Sequence, residues 1–121
     1  MFACKYGVNK KPDTGRLVEN KMYEVRYGKD WVFKVADEFT KFSQENGYEP
    51  TALAIAWVAG HPAVTAPLMG ARNMEQLREC VKAADIKMTD ELYKQISALS
   101  PEPPPPTDRN EERTEHNYGQ R

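Results

Sequence analysis

The sequence predicts an α-rich α/β fold of roughly four helices and one short strand. Three observations predict it. Apolar residues recur at helical spacing in separate segments between residues 31 and 100. Each segment is fenced by a capping residue, a glycine or a proline. Only the run Val64 to Met69, between Pro62 and Gly70, is short, apolar and β-branched at its start, as a buried strand would be.

Residues 1–30 show no sustained period and are broken by Gly7, Pro12, Gly15 and Gly28. They read as a long loop with one short helical turn near Asn20–Tyr27. From Trp31 to Asn46, Val32, Val35, Ala36, Phe39 and Phe42 fall on one helical face, and Gly47 stands where a left-handed cap belongs. Pro50 suits the first turn of the next helix. Its body, Ala52 to Ala59, is apolar on every side and should be buried all round. His61-Pro62 ends it, because a residue before proline avoids the helical region. The strand Val64–Met69 follows, although Pro67 cannot donate to a ladder.

Asn73 then caps a helix to about Ala84, with Gln76 in the capping-box position. The last helix starts behind Thr89, carries Asp90 and Glu91 in its first turn, and buries Leu92, Ile96 and Leu99. Pro101 and the run Pro103 to Pro106 stop it, and the polar tail 101–121 should be extended or disordered. The organisation is thus a loop over 1–30, a packed unit over 31–100 and the tail.

Composition excludes several classes of function. The 121 residues are 40% hydrophobic and 29% charged with net charge -1, so no basic excess points to nucleic acid. No apolar run approaches the roughly 20 residues that cross a bilayer. Cys4 and Cys80 stand far apart without metal-ligand spacing, so neither a disulfide framework nor a metal site is expected. Reduced thiols and a cytoplasmic location are the plain expectation.

The segment with chemistry in it is Pro67 to Cys80. A strand running through the turn Gly70-Ala71-Arg72 into a capped helix aims free backbone N–H groups beyond the strand end, where anions bind. Arg72 stands at that mouth, and a guanidinium suits bidentate contact with phosphate. At about 100° per residue, Arg72, Gln76 and Glu79 share one polar edge ending at Ala83, whereas Met74, Leu77, Val81 and Ala84 form an apolar stripe expected to pack on the protein. A nucleotide fits that edge, and so does an ordinary solvated helix face.

Residues 54–77, Ala-Ile-Ala-Trp-Val-Ala-Gly-His-Pro-Ala-Val-Thr-Ala-Pro-Leu-Met-Gly-Ala-Arg-Asn-Met-Glu-Gln-Leu, resemble the C-terminal pattern of the aldo-keto reductases. That pattern joins an A-x-A-W helix, a turn with proline, the last barrel strand and a G-x-R-N-x-x-Q-L helix. The style is that of the branch with the potassium-channel β-subunits. Cys4-Lys5-Tyr6 resembles a Gly-Lys-Tyr after the seventh strand, Arg16 an arginine in the following loop, and Asp85 to Thr89 the linker before the terminal helix. Coverage is about residues 1 to 100.

The resemblance implies the C-terminal portion of a (β/α)8 TIM barrel, not a closed barrel, with the phosphate site after strands seven and eight. It implies that Arg72 lies at the 2′-phosphate of NADP(H), that Gln76 and Glu79 contact the adenosine, that Gly70 belongs to the cofactor site, and that Lys5, Tyr6 and Arg16 belong to a loop over the pyrophosphate and adenine. Cys4 departs from the family's glycine, and Cys80 from an asparagine that binds adenine. The family reduces carbonyls by hydride transfer from NADPH with a tyrosine, lysine, aspartate and histidine on the first half of the barrel. No catalytic residue is therefore expected in this chain, and His61 reads as structural. The expected partners are NADP(H), the remainder of the barrel, and a second copy through the unpaired strand. The alternative is a stand-alone helical module that binds nucleotide or protein.

Overall fold

The computed structural model describes residues 7–9, 13 and 15–102 of the chain. Cys4, Lys5, Tyr6 and the tail from residue 103 onward lie outside the described residues.

Part of the stretch expected as loop is helical: α1 spans Arg16–Glu19 and α2 spans Lys21–Tyr27. The two touch each other, and the Tyr23 and Tyr27 rings lie 5.9 Å apart on α2. Helices this short are marginal in isolation and show too few apolar positions to display a period. The single turn expected near Asn20–Tyr27 is α2. Ahead of them, the Val8 N–H donates to Asp37 Oδ2 at 2.8 Å. Gly7 permits that approach, because a Cβ there would collide with the Asp37 carboxylate.

Helix α3, Asp30–Glu45, follows the expected face: Ala36 and Phe39 are buried, and Val32, Val35 and Phe42 half-buried. Its end is set by Gly47 at φ 74°. The Tyr48 N–H reaches Ser43 O at 2.8 Å and the Gly47 N–H reaches Gln44 O at 3.1 Å. This paired return satisfies the last carbonyls of the helix. Ser43, fully buried, donates its hydroxyl to Phe39 O at 2.6 Å, so burial leaves no polar group unpaired.

Helix α4, Pro50–Ala59, starts with proline at its first position, and the Glu49 carboxylate accepts the Ala52 N–H at 3.1 Å. Ala52, Leu53, Ala54 and Ala56 are buried. The expectation of burial all round fails on the far side, where Ile55 and Val58 are half-buried and Ala59 is exposed. A uniformly apolar helix needs neighbours on every side, and here they cover only part of it.

Helix α5, Met74–Val81, runs into a tighter 3-10 turn over Lys82–Asp85, and both touch α4. Helix α6, Asp90–Ser97, is capped by Thr89, whose hydroxyl accepts the Leu92 N–H at 3.2 Å. The core joins α3, α4 and α6 through Phe39, Leu53, Ala54 and Ile96, with Phe42, Tyr48, Trp57, Ile86, Met88, Leu92 and Leu99 packed around them. Trp57 pins α6 to α4: its indole stacks on Tyr93 with centroids 5.7 Å apart.

The expected strand Val64–Met69 does not form. Residues 66–71 are neither helix, strand nor turn, and there is no β-strand among the described residues. The physical reason is pairing: a strand is made by its neighbour's ladder, and none of the described residues offers one. The protein is therefore helix-rich, as a portion of a larger α/β fold would be.

Candidate functional site

The turn from residue 70 into α5 carries the residues singled out from the sequence. Asn73 is the capping residue, in extended backbone (φ -147°, ψ 172°), and its side-chain oxygen accepts the Gln76 N–H at 2.9 Å. The reciprocal half of the expected capping box is altered. Gln76 Oε1 accepts the N–H of Arg72 at 3.0 Å, one residue earlier than the capping residue itself. Gln76 thereby ties the incoming turn to the first turn of the helix. Its NH2 group makes no hydrogen bond to a described residue.

Arg72 and Gln76 are exposed and Glu79 is half-buried, so the polar edge lies at the surface. The Arg72 guanidinium has no ion-pair partner among the described residues; the ion pairs there, Lys21 with Glu24 and Lys41 with Glu45, lie elsewhere. Among the described residues nothing accepts the N–H groups of Met74 and Glu75 at the helix start, one turn or less from Arg72 in sequence. An anion finds there two aligned donors, the positive end of the helix and a planar cation. Glu75 in the first turn is the opposing charge. Gly70 is open, with nothing within 4 Å of where a Cβ would stand.

The structure thus brings Gly70, Arg72, Gln76 and Glu79 into one segment. Arg16 begins α1, with its side chain outside the described residues, and Lys5 and Tyr6 lie outside them altogether. His61 holds a turn, its Nδ1 accepting the Ala63 N–H at 3.1 Å. Among the described residues no group of His, Cys, Asp and Glu could hold a metal ion. No helix there is long and apolar enough to cross a membrane.

One expectation about α5 is corrected. Met74, Leu77 and Val81 were expected to pack on the protein, yet they are 63%, 37% and 51% exposed. The helix instead buries Cys80, and α5 as a whole touches α4. The spacing of the apolar stripe was legible, but the described residues leave it exposed. The departure at Cys80 lies away from the polar edge: the residue is 5% exposed and lines, with Ile55, Ala56 and Ala59 of α4, a cavity between the two helices.

The chain matches the model of the aldo/keto reductase family over residues 5–101. It is 34% identical over 67 residues to the uncharacterized oxidoreductase YrpG of Bacillus subtilis, covering 55% of this chain and 21% of that protein. It is 32% identical over 60 residues to the 6-dehydroglucose reductase of Agrobacterium fabrum, covering 50% and 20%. A putative voltage-gated potassium channel subunit beta of Schizosaccharomyces pombe is 34% identical over 64 residues, covering 51% and 19%. The chain spans about a fifth of the length of these relatives.

Proposed function

Because this chain belongs to the aldo/keto reductase family, we propose that it is the C-terminal, NADP(H)-binding part of a carbonyl reductase. Arg72 meets the 2′-phosphate, Gln76 and Glu79 meet the adenosine, and Lys5, Tyr6 and Arg16 belong to a segment that covers the cofactor. The observation that carries the reading is an exposed Arg72 with no ion-pair partner among the described residues, two residues before a capped helix start, with Gln76 fastened to the Arg72 backbone.

The residues present fit the cofactor's charge. A phosphate monoester needs a planar cation and aligned N–H donors, and both stand at the start of α5. Oxidoreductase names among the relatives support the same chemistry. When bound, NADPH supplies the hydride. This chain's share is to hold the nucleotide: Arg72 neutralises the phosphate, and the Gln76 NH2 offers a donor to the adenosine. The tyrosine acid and its lysine, aspartate and histidine partners belong to the earlier part of the barrel, so the polypeptide by itself is proposed to be inactive.

Titration calorimetry with NADP and NAD tests the assignment. We expect NADP to bind more tightly than NAD, and Arg72→Ala to remove that preference, weakening NADP by about tenfold to a hundredfold for a charge-assisted contact. Equal affinity for the two nucleotides in the unaltered chain would overturn the role of Arg72.

A second reading, a helical module that binds protein, is favoured by the exposed stripe Met74, Leu77 and Val81.

A further inference from the structure

Helix α3 holds the chain ahead of α1 through one side chain. Asp37 Oδ2 accepts the Val8 N–H at 2.8 Å. The other oxygen, Oδ1, lies against Gly7, so closely that a Cβ there would collide with the carboxylate. The same carboxylate therefore grips two consecutive residues, and the buried Gly7 fits under it because it has no side chain. Among the described residues this is the hydrogen bond that joins the chain ahead of α1 to α3, and no cation there pairs with Asp37. Asp37 is itself exposed, and neither the core nor a helix cap uses it.

The place of this contact in the chain gives it a consequence. Gly7 directly follows Lys5-Tyr6, the pair proposed above to cover the cofactor. At about 3.6 Å per residue, an anchor at Gly7 keeps the Cα of Lys5 within about 7 Å of it. A terminal segment without such a tie is poorly ordered as a rule, and a ligand would have to order it on binding. Fixing a binding segment beforehand removes that cost and raises affinity without adding a contact to the ligand.

We infer that Asp37 is a positioning residue for nucleotide binding: by clasping Gly7 and Val8 it presets the segment that carries Lys5 and Tyr6. The inference rests on the cofactor reading and gives Asp37 and Gly7 roles that reading does not use. Asp37 acts through the segment and not by contact with the nucleotide. Pyrophosphate and adenine are common to NADP and NAD, so loss of the clasp weakens both alike. Loss of Arg72, which acts on the 2′-phosphate, weakens NADP alone.

The test uses the full 121-residue chain, with calorimetry for both nucleotides, amide exchange of Val8 by NMR, and melting curves. In Asp37→Ala the Val8 amide should exchange about tenfold faster. NADP and NAD should each bind about fivefold to tenfold more weakly. The melting temperature should be no lower than the parent's, because alanine suits a helix interior better than aspartate. Asp37→Asn keeps a carbonyl oxygen for the Val8 N–H and should restore most of the affinity. Gly7→Ala should weaken both nucleotides as Asp37→Ala does, and the two changes together should be no worse than either alone. Affinities in Asp37→Ala equal to the parent's, a loss confined to NADP, no recovery in Asp37→Asn, or additive losses in the double variant would each overturn the inference and leave the Arg72 assignment standing. A parent chain that binds neither nucleotide overturns the cofactor reading, and the inference with it.

Discussion

The backbone N–H of Arg72 donates to Gln76 Oε1 at 3.0 Å, so the arginine at the mouth of the turn is held by a side chain from the helix it precedes. The two side chains assigned to a nucleotide are thus not independent, and substitutions at Gln76 should separate its two jobs.

Gln76→Glu keeps an oxygen acceptor for the Arg72 N–H but loses the NH2 donor and adds a negative charge. We expect unchanged thermal stability and weaker NADP binding. Gln76→Ala loses the tether as well, at about 0.5–1.5 kcal/mol for a neutral hydrogen bond, and should weaken NADP binding about threefold to tenfold. Calorimetry with parallel melting curves checks both. Equal NADP affinity in all three proteins would remove Gln76 from the site.

The Asn73 cap should govern access to Cys80. Asn73→Ala removes the acceptor for the Gln76 N–H and should destabilise α5 by about 1 kcal/mol. Cys80 is buried as a free thiol, so a thiol reagent reaches it only when α5 opens. In a Cys4→Ser background, labelling should be slow, and Asn73→Ala should speed it about fivefold. Labelling at the same rate with and without the cap would show that α5 does not guard the thiol.

Gly47 sits at φ 74° with nothing within 4 Å of a would-be Cβ. Any cost of Gly47→Ala is therefore backbone strain and not a clash. It should lower stability by about 1–2 kcal/mol, and Gly47→Asn by less, since asparagine tolerates the left-handed region. Urea unfolding followed by circular dichroism measures the order, and an alanine variant as stable as the parent would contradict it.

Leu53 is completely buried between α3 and α6. Leu53→Ala should cost about 2–5 kcal/mol, a large share of what a core this small can supply. We expect a shallow, low-temperature melt or none, read by calorimetry. Val58→Ala, on the half-buried side of α4, should cost distinctly less.

Elements with local punctuation were legible in the sequence. Gly47, Pro50, Asn73 and Thr89 mark their helix ends by chemistry contained in a few neighbouring residues, and each stands at such an end. Features that depend on distant partners were not. The Val64–Met69 run has a strand's composition, but a ladder cannot be read from one side of it. The stripe Met74, Leu77 and Val81 announced a buried face without saying what buries it. At the site, the Asn73 cap was legible from spacing alone, whereas the choice of the Arg72 N–H by Gln76 turns on backbone geometry no pattern encodes. Helix α1 lacked any signal strong enough to mark it, and α2 was expected only as a single turn.

The two tryptophans sit in different surroundings. Trp31 is 49% exposed on α3, whereas Trp57 donates its indole N–H to Ser97 Oγ at 3.1 Å and is half-buried. Their fluorescence should divide accordingly, with a red-shifted, readily quenched component from Trp31 and a bluer one from Trp57. The blue component is an optical gauge of whether the terminal helix stays seated, and acrylamide quenching can follow it without any added label.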